Sequence, residues 1–141
     1  MLSRVAHETQ DMARALQPRT ASTLGRAYEA VVYLLAFGVL INAFIAGRAL
    51  IGEWDIVVHG IIGNVVFVLA VAAVVVAFLA KAGTTTIVAT VALAVLVFAQ
   101  VGLGYSGRNS ADAMAWHIPV GVLIMGLAMW VAARASLRRA V

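Results

Sequence analysis

Cysteine is absent from the chain. That absence excludes disulfides, thiolate metal sites, iron–sulfur clusters and covalent c-type haem attachment. Any metal must then be held by histidine, carboxylate or methionine. Charge is also scarce, at 11% of residues against 64% hydrophobic. A soluble domain of 141 residues could not hide so much apolar surface. There are only two prolines and no run of alternating polarity, which argues against a membrane β-barrel.

What the chain does have is four apolar runs, at about 28–50, 55–80, 84–104 and 113–133. Each is long enough for a bilayer core, which takes about 20 residues as helix. The expected fold is all-α: a four-helix transmembrane bundle over 25–141, preceded by a polar segment over 1–24. Within that segment, Leu2, Val5, Met12 and Leu16 fall near one face while Arg4, Glu8, Asp11 and Arg14 lie elsewhere. The pattern predicts an N-terminal amphipathic interfacial helix over 2–17, closed by Pro18. Its spacing is also heptad-like, so docking against a partner subunit is an alternative use. A cleavable signal peptide would begin its apolar stretch sooner, so the first helix is expected to stay.

Residues 19–25 read as a linker, with Ser22 or Thr23 available as a cap for the first helix. Asp55 can begin the second, opposing the positive end of the helix dipole. The short turn at Ala82-Gly83 makes the second and third helices antiparallel neighbours. Pro119 falls in the first two turns of the fourth helix, where its disruption is mild.

The net charge is +4, and its placement carries the information. Arg4, Arg14, Arg19, Arg26, Lys81, Arg134, Arg138 and Arg139 lie on one side of the predicted membrane, and Arg48 and Arg108 on the other. The positive-inside rule then predicts a multi-pass protein of a bacterial-type inner or plasma membrane with both termini cytoplasmic. The basic surplus reports topology and lipid contact, not nucleic acid.

Histidine in a membrane span is rare and is usually buried, paired or liganded. His59 and His117 each fall about one turn inside the outer end of a helix, and each is followed four residues later by glycine, Gly63 and Gly121. Residues at i and i+4 share a helix face, so each imidazole has a bare patch of backbone beside it. The pattern predicts a flat cofactor between two imidazoles, namely one b-type haem with His59 and His117 as iron ligands. The bland alternative is that each histidine bonds a carbonyl, water or headgroup, or pairs with a carboxylate such as Asp55. Arg48 and Arg108 are the outer cations available to haem propionates, or else solvated loop charges. Met114 is a rival axial ligand, and Met125 and Met129 are core filler. His7, in the polar tail, reads as structural. Gly60 and Gly126 are expected to relieve crowding elsewhere in the bundle.

Asn42, Asn64 and Gln100 are polar groups within apolar runs, and interhelical hydrogen bonds are their default use. Asn42 precedes His59 by 17 positions and Gln100 precedes His117 by 17 (59 − 42 and 117 − 100). The halves therefore read as a duplicated hairpin related by an axis along the membrane normal.

The run Gln100-Val101-Gly102-Leu103-Gly104 gives Gln-x-x-Leu-Gly, followed by an outer loop and His117. With His59 on the second helix, this resembles one four-helix half of the haem A synthase family, over about residues 28–134. It is also similar to small single-half bacterial membrane proteins. The resemblance implies that His59 and His117 are haem ligands and that Gln100 lines the pocket. The chain departs from that family in two places. Asp55 is four residues before His59 rather than three, and Gly60 follows where an arginine is usual. The outer-loop cysteines that many of those synthases carry are absent too. The synthases use two haem sites and this chain offers one, so synthase activity is not carried over and a catalytic role is not expected. The expected function is electron transfer or haem handling by a membrane cytochrome. The alternative is an accessory or assembly subunit of a larger membrane complex, or a homo-oligomer, without a cofactor of its own. A small channel is a third reading, but the polar groups cluster near one end instead of spacing through the span.

Overall fold

A computed structural model describes residues 22–137. The amphipathic helix expected over 2–17, with His7, lies outside the described residues, as do Arg138 and Arg139. Four α-helices make up the described chain: α1 Thr23–Leu50, α2 Ile56–Leu79, α3 Thr84–Ser106 and α4 Ala111–Leu137. All four are long and apolar enough to cross a membrane. The protein is an all-α, multi-pass membrane bundle.

Local chemistry sets the helix ends. Ser22 Oγ accepts from the Gly25 N–H at 3.0 Å and Asp55 Oδ1 from the Val57 N–H at 2.8 Å, so both expected caps are in place. α1 and α2 end in the same device. In α1, Gly52 N–H donates to Ala49 O and Glu53 N–H to Arg48 O, with Gly52 at φ +77°. In α2, Lys81 N–H donates to Phe78 O and Ala82 N–H to Ala77 O, with Lys81 at φ +49°. Both are Schellman motifs, in which a left-handed residue lets the chain bond the last free carbonyls. α4 begins at Ala111, two residues before the expected 113, because Ser110 Oγ accepts from the Ala113 N–H. Pro119 therefore lies in the third turn of a continuous helix rather than in its first two.

The helices form a ring in which α1 packs on α2 and α4, and α3 on α2 and α4. Thus α2 and α4 face each other across a diagonal. The half of the bundle nearest Thr23 and Leu137 is sealed. Leu35 and Leu93 are fully buried there, against Ala70, Ala73 and Ala77 of α2 and Ala128, Val131 and Ala132 of α4. Small residues on α2 and α4 leave space that the large Leu35 of α1 and Leu93 of α3 fill. Tyr28 and Thr90 share a buried hydroxyl–hydroxyl bond of 2.7 Å in this half, and Thr90 also donates to Thr86 O.

Burial repeats with the hairpin. Leu35 and Leu93, Val66 and Ile124, Ala70 and Ala128, and Ala77 and Ala135 are all buried, and each pair is 58 residues apart (93 − 35, 124 − 66, 128 − 70, 135 − 77). That is also the offset between His59 and His117 and between Asn42 and Gln100 (117 − 59 and 100 − 42). The two hairpins therefore share these buried positions.

Candidate functional site

The other half of the bundle is built differently. Among the described residues, Ile45 is the only buried hydrophobic residue beyond the level of Val66, Val97 and Ile124. The residues along the axis there, Asn42, His59, Gly63, Gln100, Gly104, His117 and Gly121, are all only half-buried. So the sealed core stops where the polar residues begin.

His59 is the fourth residue of α2 and His117 the seventh of α4 (counting from 56 and 111). Their distances from the helix starts therefore differ, yet the two rings meet. Their centroids are 5.9 Å apart and the planes are at 75°. α4 starts higher, and its additional turn brings His117 level with His59 on the opposite corner of the ring.

Each imidazole is served by the helix before it. The His59 Nδ1–H donates to the main-chain carbonyl of Asn42 at 3.1 Å, which leaves Nε2 as the ring's lone-pair nitrogen. In the second hairpin, Gln100 Nε2 donates to the main-chain carbonyl of His117 at 2.8 Å. The glycines four residues beyond the histidines lie beside the side-chain amides of these helices. A Cβ at Gly121 would lie 3.0 Å from Gln100 Nε2, and one at Gly63 would lie 3.5 Å from Asn42 Nδ2. The bare Gly121 backbone admits the Gln100 amide, whereas the Gly63 distance is ordinary van der Waals contact. Gly60 and Gly126 do not relieve crowding, since a Cβ at either would meet nothing within 4 Å.

Four buried polar atoms at this end lack a hydrogen-bond partner: Asn42 Oδ1, Gln100 Oε1, His117 Nδ1 and Arg48 Nε. Buried polar groups are rarely left so, and one of the four is a nitrogen of the His117 ring itself. The Arg48 guanidinium pairs with Glu53. The Arg108 guanidinium lies 5.1 Å from the centroid of the Tyr105 ring, a cation–π arrangement. Neither arginine bonds a histidine. Asn64 Nδ2 donates to Gly60 O and to Tyr105 Oη at 3.1 Å, joining α2 to α3 as expected of an amide in a span. Met114 packs its methyl on Gly107. Among the described residues no three His, Asp or Glu side chains cluster to hold a metal ion.

Two contributors were not anticipated as site residues. Asn42 was expected to make an interhelical bond, but it is its main-chain carbonyl that orients His59. Gly104 forms the seat of His117, since a Cβ there would lie 3.1 Å from the ring's Cε1. The 58-residue offset that pairs Asn42 with Gln100 is the signal that marks Asn42. Gly104 is the last residue of the Gln-x-x-Leu-Gly run.

Comparison of the chain with protein-family models, with curated proteins and with solved structures gives no match.

Proposed function

We propose that this protein is a membrane cytochrome that binds one b-type haem between His59 and His117 for electron transfer or haem handling. One observation carries the reading: two imidazoles 5.9 Å apart across the diagonal of the bundle, one of them with a buried ring nitrogen that has no partner. His59 and His117 would be the residues to hold the iron, each through a ring nitrogen. The His59 Nδ1–H bond to a main-chain carbonyl is the outer-shell contact that fixes tautomer and ring orientation in metal-ligating histidines. Iron, when bound, would supply the one-electron chemistry. The chain's own residues would orient the ligands, exclude lipid and set the charge around the group. Arg48 and Arg108 are the cations at this end, and they would meet the propionates.

The likeness of Gln100–Gly104 and the two histidines to one half of the haem A synthase family supports the same reading. A single half would bind haem without the synthase reaction. By the positive-inside rule the eight basic residues outside the Arg48–Arg108 end (4, 14, 19, 26, 81, 134, 138 and 139) would face the cytoplasm of a bacterial-type inner membrane. The haem would then lie near the non-cytoplasmic surface.

The test is colour. The full chain purified in mild detergent from haem-replete cells is expected to show a Soret band and a sharp reduced α-band. His59→Ala and His117→Ala should abolish or change both bands, and His7→Ala should change neither. A colourless preparation would favour the accessory-subunit role instead. An unchanged spectrum in both site variants would refute the ligand assignment.

A further inference from the structure

Resting on the haem reading, we infer that the two imidazoles are inequivalent. His59 is the fixed axial ligand and His117 the displaceable one, so the site admits a small neutral π-acceptor molecule on the His117 side. The inference comes from where the two hairpins stop being alike. By the 58-residue offset, the His117 ring should bond the main-chain carbonyl of Gln100 as His59 bonds that of Asn42. It does not: the His117 Nδ1 is buried with no partner, and the Gln100 side chain instead bonds the backbone of His117.

Two further differences fall on the same turn. Gly104 stands where the first hairpin has Ala46 (104 − 46 = 58), and the His117 ring rests against that bare Cα. Pro119 stands where the first hairpin has Ile61 (119 − 61 = 58). Proline has no N–H, so the carbonyl of Ala115 loses its helical donor and this turn is less firmly tied. An imidazole whose far N–H is held by a carbonyl is better oriented and more basic, hence the stronger ligand. His59 has that support and His117 lacks it.

The exchange is a ligand substitution with no net electron transfer. With haem bound, His117 would release the ferrous iron and its nitrogen would keep its lone pair. The lone pair on the carbon of carbon monoxide forms the new bond. Iron remains ferrous throughout, and dithionite supplies the prior reduction in the assay.

The experiment uses the full chain purified with its haem, reduced with dithionite and titrated with carbon monoxide. The ferrous Soret band is expected to shift, saturating at one carbon monoxide per haem. His117→Ala should keep its haem, be high-spin when ferrous, and give the same carbon monoxide spectrum as the unmodified protein. Removing only an outer-shell partner costs about 10- to 100-fold in metal affinity. His59→Ala is therefore expected to bind haem at least about tenfold more weakly than His117→Ala, with added imidazole restoring the pigment. That restoration separates loss of a ligand from misfolding. A coloured protein whose ferrous spectrum ignores carbon monoxide overturns the inequivalence and leaves the haem reading standing. So does haem loss in His117→Ala equal to or greater than that in His59→Ala. A colourless unmodified protein overturns the haem reading and this inference together.

Discussion

A single added methyl group has very different consequences at the glycines of this bundle. At Gly121 it would press on the Gln100 amide at 3.0 Å and dislodge the bond to the His117 carbonyl. At Gly126, five residues along the same helix (126 − 121), it would meet nothing within 4 Å. Gly121→Ala is expected to destabilise the protein by about 1–2 kcal/mol, from overpacking and a lost hydrogen bond. Gly126→Ala should be neutral or stabilising by up to about 1 kcal/mol, because alanine is the better helix former. Thermal unfolding in detergent micelles compares the two, and equal shifts would contradict the packing described for Gly121. The histidines, Gly63, Gly121 and Gln100 were all legible as a constellation from spacing and motif. The partners of the rings were not. A main-chain carbonyl such as that of Asn42 has no signature in sequence, and the contact of Gly104 with His117 depends on a side-chain rotamer.

At the scale of the helix, the ends of α1 and α2 invite comparison, since one Schellman motif uses glycine and the other lysine. Lys81 holds φ +49°, a conformation that costs an L-residue with a Cβ about 1–2 kcal/mol. Part of that cost returns on substitution by glycine, offset by the greater freedom of glycine in the unfolded chain. Lys81→Gly is therefore expected to raise stability by about 0.5–1 kcal/mol, measurable as a higher unfolding midpoint in micelles. A lower midpoint would show that the lysine side chain contributes more than its backbone costs. Ser22 and Asp55 were readable as caps because a short polar residue stood directly before an apolar run. Ser110 was overlooked because Ala111 and Asp112 lie between it and the obvious apolar stretch. That oversight shortened α4 by two residues (111 against 113) and made the two histidines look level for the wrong reason.

The whole molecule is sealed at one end and only half-buried along its axis at the other. Haem bound between the imidazoles would bridge α2 and α4 in the looser half and leave the packed half as it is. Amide hydrogen exchange in micelles should therefore be slow over residues 66–77 and 124–135 with or without haem. Protection should rise on haem addition over 57–64 and 115–122. Uniform protection along the helices before haem is added would argue against this division. Four apolar runs and short connections made the number of helices and their antiparallel order readable from sequence. Their arrangement in a ring, with α2 and α4 on a diagonal, was not, because apolar residues surround every helix and no single face announces its neighbour. The alanines at 70, 73 and 77 and at 128, 132 and 135 do trace a seam at helical spacing, but alanine is equally at home against lipid.

That alanine seam also works as a fulcrum. Ala73 and Val131 are both fully buried at this level, so a change in tilt of α2 and α4 about it would disturb the packing little there and be felt mainly at the far tips. Over a lever of about 20 Å, roughly thirteen residues of helix, three degrees of rotation moves a tip by about 1 Å. A change in tilt would therefore move the ends that carry His59 and His117 relative to each other, while the buried packing of the other half would stay as it is.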